Sequence, residues 1–218
     1  MSGELGLSRT QSVVKRGFDI VAASAGIVLT SPVMVVSWLL ASLDTRANGL
    51  FRQMRVGKGG RPFRICKLRT MRDLGGVGTT VTTSRDPRIT RLGGILRKLK
   101  LDELPQLFNV LAGHMSFVGP RPDVPGYADR LTGADRIILT VRPGITGPAA
   151  IAYRHEEQLL AATDDPESYN REVIWPDKVR INREYVESYS LFSDLRCLIS
   201  TLGSIFSSDA DAQREPAR

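Results

Sequence analysis

Ile20-Val-Ala-Ala-Ser-Ala-Gly-Ile-Val-Leu-Thr-Ser-Pro-Val-Met-Val-Val-Ser-Trp-Leu-Leu-Ala-Ser-Leu43 runs for 24 residues without a charge and carries Ser31-Pro32 at its centre. A straight helix of that length spans about 36 Å, against a hydrocarbon core of about 30 Å, so length alone permits a crossing. Proline at the midpoint removes a backbone donor and clashes with the preceding turn, at about 3 kcal/mol in a regular helix. A neighbouring serine hydroxyl can satisfy the freed carbonyl, which keeps a bent helix compatible with lipid. A bend at Ser31-Pro32 leaves two arms of about 18 Å, each reaching little more than halfway across. The expectation is a re-entrant hairpin over about 18–43 that enters and leaves by one face.

Flanking charge supports the hairpin. Arg9, Lys15 and Arg16 precede the run, and Arg46, Arg52, Arg55, Lys58 and Arg61 follow it, so the positive-inside rule places both flanks in the cytoplasm. The alternative is a simple transmembrane anchor kinked at proline. A cleaved signal peptide fits less well, because the run starts late and exceeds the usual apolar region of about 7 to 15 residues.

The chain has 218 residues, a net charge of +7 and a strong asymmetry: from Arg46 to Lys100 fifteen Lys/Arg face only Asp73 and Asp86. Anionic lipid headgroups, a polyanionic substrate, nucleic acid or a plainly solvated face would each account for that segment. Nucleic acid is disfavoured, since few aromatics are interleaved for base stacking and the apolar run holds the segment at a membrane. Cys66 and Cys197 are isolated, and His114 and His155 are the only histidines. Disulfide frameworks, multi-histidine zinc sites and histidine triads are therefore disfavoured, and the chemistry must lean on carboxylates.

Leu50–Arg55 and Pro62–Thr70 flank Gly57-Lys-Gly-Gly60, and the alternation of Phe63, Ile65 and Lys67 with Arg64, Cys66 and Leu68 predicts a small hairpin. Asp73–Ser84, rich in Gly and Thr, is expected to be a mobile loop. Leu92, Ile95, Leu96 and Leu99 predict a helix from Arg91 to about Leu99 with a core-facing stripe. A second helix is expected after Asp102, through Leu104, Leu107, Phe108 and Leu111, stopping at Gly113 with Pro105 in its first turn. Ile174–Ile205 carries amphipathic helical signals suited either to the interfacial plane or to closing the core. The fold class expected is α+β and mainly helical: a re-entrant membrane helix, a small β-hairpin and amphipathic helices. One domain over 1–206 is expected, its cytosolic catalytic part about 44–206, followed by a disordered tail at 207–218.

Asp102-Glu103 is the candidate catalytic pair. Asp102 alone reads as a helix N-cap with Glu103 complementing the dipole. Its surroundings shift the balance: Arg97, Lys98 and Lys100 precede it, a helix N-terminus offers amide donors to phosphate, and Gly119-Pro-Arg-Pro122 lies beyond the helix. A carboxylate about 4 Å from a phosphate charge is repelled by about 4 kcal/mol at an effective dielectric of 20, so arginines and a divalent cation such as Mg²⁺ are required.

The segment Lys100-Leu-Asp-Glu-Leu-Pro-Gln-Leu-Phe-Asn-Val-Leu-Ala-Gly-His-Met-Ser-Phe-Val-Gly-Pro-Arg-Pro122 closely resembles the signature of the bacterial sugar transferases, the monotopic polyprenyl-phosphate phosphoglycosyl transferases. Lys15-Arg-Gly-Phe-Asp19 with Ser31-Pro32, Lys67-Leu-Arg-Thr-Met71 and Arg142-Pro-Gly-Ile-Thr-Gly147 match in order, so the resemblance runs from about Lys15 to Thr201. It implies a re-entrant helix hinged at Ser31-Pro32. It also implies a two-step transfer in which Asp102 attacks the β-phosphate of a UDP-sugar, expels UMP, and passes the phosphosugar to polyprenyl phosphate. By the same match Glu103 would bind Mg²⁺ with Asp102 or assist the acceptor, and Lys67 and Arg97 would neutralise phosphate oxygens. Arg121 would clamp phosphate bidentately, and Arg142 and Thr146 would complete the nucleotide or phosphate side. The place implied is the cytoplasmic face of a bacterial inner membrane, at the first membrane step of glycoconjugate synthesis, with lipids and downstream glycosyltransferases as partners. Many relatives continue the Arg-Pro-Gly-Ile-Thr-Gly motif with Trp-Ala-Gln or similar, whereas this chain has Pro148-Ala149-Ala150. That departure bears on sugar and nucleotide recognition. The chain is expected to be a minimal catalytic form, and a homodimer is compatible with it. A polybasic lipid-docking module and a membrane phosphohydrolase are the competing functions; sugar, polyprenyl length and pathway stay open.

Overall fold

Ser8 opens the first helix through a reciprocal capping box: its hydroxyl accepts from the Gln11 amide at 3.2 Å, and the Gln11 side chain accepts from the Ser8 amide at 2.8 Å. In the computed structural model, which describes residues 6–73 and 82–206, this helix, α1, runs from Arg9 to Thr45 without interruption. Pro32 leaves the Val28 carbonyl without its i+4 donor, and the Ser31 hydroxyl donates to that carbonyl at 3.0 Å. Thr30 donates likewise to Gly26 O at 2.7 Å. The expected pairing of serine with the orphaned carbonyl is therefore present. The segment is one helix rather than two arms parted by a break, and it begins well before the expected boundary near 18 because the Ser8 cap extends it.

The two flanks of α1 attach to the same folded body. Near its start, Lys15 forms a buried ion pair with Asp194, which also accepts from Tyr185 Oη at 2.6 Å. Asp19 Oδ1 accepts from Ser116 Oγ at 3.0 Å and the Phe117 amide at 3.1 Å. Near its end, Ala41 packs with Leu68 and Leu96, and Arg72 donates to the Asp44 carbonyl. The buried positions Lys15, Asp19, Ala23, Met34, Ser37, Ala41 and Thr45 follow helical spacing along one face. Val21, Val28, Leu29, Val35, Val36 and Leu43 stand exposed on the others.

Strands β1 (Leu50–Val56) and β2 (Pro62–Leu68) form the expected antiparallel hairpin, Leu50 opposite Leu68 and Val56 opposite Pro62. Helix α2 spans Arg91–Lys98, close to expectation, with Thr90 accepting from the Gly93 amide as N-cap. The next helix departs from the sequence reading. Lys100 adopts left-handed backbone (φ 56°), Leu101–Glu103 form a 3₁₀ turn, and α3 begins only at Gln106 and ends at Leu111. Asp102 therefore does not cap a helix. The amide donors expected there for phosphate are taken in 3₁₀ bonds, Leu104 to Leu101 O and Phe108 to Pro105 O.

Two short parallel strands, β3 (Ser116–Val118) and β4 (Gly144–Thr146), follow. Then come α4 (Pro148–Ala152), α5 (Glu156–Ala161), α6 (Pro166–Tyr169), a π turn at Asn170–Ile174, α7 (Trp175–Glu187) and α8 (Leu191–Phe206). The amphipathic stretch expected as one run is thus two helices broken after Ser188. Tyr185, Val186, Tyr189 and Cys197 join the main core with Val118 and Ile137–Leu139, while Leu191, Phe192, Leu195, Ile199 and Leu202 stay exposed. The core-closing role is thus present on one face, and an apolar face is left open on the other. The loop expected over Asp73–Ser84 and the tail over 207–218 fall largely or wholly outside the described residues.

Candidate active site

Adjacent residues in a 3₁₀ turn point about 120° apart, so the Leu101–Glu103 turn separates its two carboxylates. Glu103 turns to two cations: its Oε1 accepts from Arg121 Nη2 at 2.7 Å and Lys67 Nζ at 3.4 Å. Asp102, equally buried, has no hydrogen-bond or ion-pair partner among the described residues.

Lys67 reaches the pair through strand periodicity. Phe63 and Ile65 enter the core with Ala23, Val110 and Met115, and two residues on Lys67 lies in the same row. Asn109 of α3 fixes that register: its Oδ1 accepts from the Cys66 amide at 2.9 Å and its Nδ2 donates to Arg64 O at 2.8 Å. Arg121 is placed by glycine. A Cβ on Gly144 would sit 2.2 Å from Gly119 N, and one on Gly147 would sit 2.2 Å from Gly119 O, so only bare backbone lets these segments meet. Gly119 N donates to Thr146 O and Gly144 N to Pro120 O, which fixes Pro120-Arg-Pro122 next to the acidic pair. The Arg121 side chain remains 42% exposed, so donors beyond the one on Glu103 face outward.

The electrostatics divide the two carboxyls. Burial opposes ionisation of Glu103, but Arg121 and Lys67 outweigh it and hold the carboxylate well below its ordinary range. Asp102 moves up instead, first by burial and then by the charge on Glu103, against the pull of Lys67, Arg97 and Lys100. Burial lowers Lys67 despite Glu103, and Glu103 raises Arg121. Neighbouring carboxyls driven apart in this way suit different tasks: one is fixed as an anion and engaged with cations, the other is more basic and unengaged.

The other expected site residues scatter. Arg97, within electrostatic reach of Asp102, is ion-paired with Glu157 of α5. Arg142 donates from Nε to Gly113 O at 2.8 Å, while Arg16 takes Val110 O and Leu111 O; together they cap α3 and not the acidic pair. Thr146 meets Thr201 Oγ1 at 2.7 Å, tying β4 to α8. The Arg142-Pro-Gly-Ile-Thr-Gly147 segment therefore acts as a scaffold under Arg121. Sequence reasoning missed Asn109, Glu157 and Asp123. Asn109 was detectable as a polar residue amid the apolar positions of α3. Asp123, two residues beyond Arg121, is lifted by burial to about 7 against Lys178, Arg55 and Arg121. Two buried donors, Gln106 Nε2 and Arg55 Nε, have no hydrogen-bond partner among the described residues.

Buried carboxylates beside Lys67 and Arg121 form a compact charged cluster, and sequence comparisons place the chain among known proteins. The model of the bacterial sugar transferases matches residues 10–208, and the chain belongs to that family. It is similar to the UDP-glucose:undecaprenyl-phosphate glucose-1-phosphate transferase of Caulobacter vibrioides, 36% identical over 201 residues that cover 89% of this chain and 70% of the relative. It is also similar to the UDP-N-acetylgalactosamine-undecaprenyl-phosphate N-acetylgalactosaminephosphotransferase of Aeromonas hydrophila, 35% identical over 209 residues. There the match covers 93% of this chain but 46% of the relative, so the chain spans about half of that protein. The exopolysaccharide production protein PSS of Rhizobium leguminosarum bv. phaseoli is 36% identical over 202 residues, 88% of this chain and 94% of that protein.

Proposed function

We propose that the chain transfers a phosphosugar from a UDP-sugar to polyprenyl phosphate, releasing UMP, through an aspartyl-phosphosugar on Asp102. The observation that carries this reading is the unpartnered, buried Asp102 beside a Glu103 whose charge is already engaged by Lys67 and Arg121. An Asp102 carboxylate oxygen attacks the β-phosphorus, and the bond to the bridging oxygen breaks with its electron pair leaving on UMP. A polyprenyl phosphate oxygen then attacks the same phosphorus and returns Asp102 as carboxylate. The outward donors of Arg121 receive the phosphoryl oxygens, and substrate phosphate competes with Glu157 for Arg97.

Among the described residues no three His, Cys, Asp or Glu form a metal cage. Mg²⁺ characteristically takes one or two carboxylates and completes its shell with substrate phosphates and water, so Asp102 and the free Oε2 of Glu103 are a fitting donor set. Bound there, the ion would neutralise diphosphate charge. The relatives' names support both substrates.

The membrane placement belongs to the same proposal. Both flanks of α1 are bound to one body and its outer faces are apolar, which supports a monotopic, re-entrant helix on the cytoplasmic face of a bacterial inner membrane. Purified protein given Mg²⁺, UDP-sugars and polyprenyl phosphate is expected to release UMP and form a lipid-linked phosphosugar, with Asp102→Asn abolishing both. Full turnover by that variant refutes the nucleophile.

A further inference from the structure

A cavity of about 450 Å³ opens where α1 ends, lined by Thr45, Arg46, Arg69, Met71, Arg72 and Asp73 among others. It shares no lining residue with the Asp102–Arg121 cluster. Its volume falls within the range of small-molecule sites, about 300–1,000 Å³. Two of its guanidinium groups are fixed by backbone carbonyls and keep donors in reserve. Arg69 donates from Nε to Asn48 O at 2.8 Å and lies 5.5 Å from the centroid of the Phe51 ring, leaving both terminal nitrogens unspent. Arg72 donates from Nε and Nη2 to the Asp44 carbonyl and pairs through Nη2 with the Asp44 carboxylate at 3.3 Å, leaving Nη1 without a partner among the described residues. The third, Arg46, has no hydrogen-bond or ion-pair partner among the described residues.

Arg46 is also the left-handed C-cap of α1, with φ 53° and ψ 32°. Glycine or asparagine ordinarily fills that position because a side chain strains the backbone. An arginine held there in spite of the strain adds a guanidinium to the wall of the cavity. Against three cations stand the lining carboxylate Asp73 and Asp44, which is ion-paired with Arg72, so the cavity keeps one net positive charge. Forked donors in that number match the oxygens of a phosphate group.

The position of the cavity selects the source of the phosphate. Leu39, Leu40 and Leu43, in the last turns of α1, are exposed, and the Trp38 indole donates to Asn48 Oδ1 at 3.2 Å beside them. Apolar surface gives way to Arg46 within one turn, which is the level at which headgroups begin and tryptophan anchors. We propose that this cavity binds the phosphate of an anionic membrane phospholipid, separately from the reacting phosphates. This rests on the membrane placement of α1 proposed above.

The test uses the full chain in mixed phosphatidylglycerol and phosphatidylcholine nanodiscs, released into detergent and weighed by native mass spectrometry. Wild type is expected to retain one phosphatidylglycerol at least tenfold more often than Arg46→Gln/Arg69→Gln. Arg46→Gly suits the left-handed backbone, and with its folded fraction matched to wild type by circular dichroism, weaker retention there reports the lost guanidinium. A parallel titration with inorganic phosphate separates the sources: phosphate bound by wild type but not by the variant, with no lipid preference, overturns the lipid assignment. Equal retention by wild type and both variants overturns the site. Recovery of the chain with bilayers is scored on the same samples; failure there sinks the placement of α1, whereas partitioning without headgroup preference sinks this cavity alone.

Discussion

Asp123 shows how burial sets a titration window in this protein. Its carboxyl titrates near 7 because desolvation exceeds the pull of Lys178, Arg55 and Arg121, whereas an unfolded chain holds an aspartate near about 3.9. A pKa raised by folding means that the folded state binds the extra proton, so the associated stability is full below about pH 4 and is lost as pH rises through about 7. Asp123→Asn is expected to remove that slope and to unfold at higher denaturant than the parent at pH 8, with little advantage at pH 4. Parallel midpoints for the two chains across that range would show that Asp123 is ionised throughout. The Asp102-Glu103 pair was legible as a pair from its neighbours in sequence, but the division between them was not. It depends on Lys67 and Arg121, which lie 36 and 18 positions from Glu103 and meet it only after folding.

The β1–β2 hairpin and the stripe of α2 were readable because each obeys a local period, two for the strand and 3.6 for the helix. The start of α3 was not, because left-handed backbone at Lys100 and 3₁₀ bonding through Leu104 override an otherwise helical pattern. What joins these elements is Asn109, whose amide satisfies the Cys66 N–H and the Arg64 C=O along the open edge of β2. Asn109→Ala leaves both backbone groups without partners and is expected to destabilise by about 2 to 4 kcal/mol, read from denaturant midpoints. Lys67 sits next to that clamp, so activity should fall beyond the loss of folded protein. A variant of full stability would show that water takes over both bonds. The partners of Arg142 and Thr146 within the chain escaped the sequence for a related reason: a motif reports which residues recur together, not that they meet the carbonyl of Gly113 and the hydroxyl of Thr201.

The charge pattern around the apolar run predicts both flanks of α1 on one side of a membrane, and what the structure adds is that both flanks attach to one body, Lys15 through Asp194 and Ala41 through Leu68 and Leu96. Single cysteines at Ser8 and Ala47 are expected to escape a membrane-impermeant thiol reagent in intact cells and to react after permeabilisation. Labelling of either from outside would make α1 a through-crossing. The hydroxyl of Ser31 on the Val28 carbonyl supplies the local means, since it lets the helix pass proline with no bare acceptor turned to lipid. Fastening both flanks of the anchor to one body also removes any tether. On the proposed placement Asp102 rides at a fixed altitude above the bilayer, so the acceptor is met by lateral drift in two dimensions while only the nucleotide arrives from the bulk. Crowding of the leaflet, rather than stirring of the cytoplasm, would then set the pace of the second half-reaction.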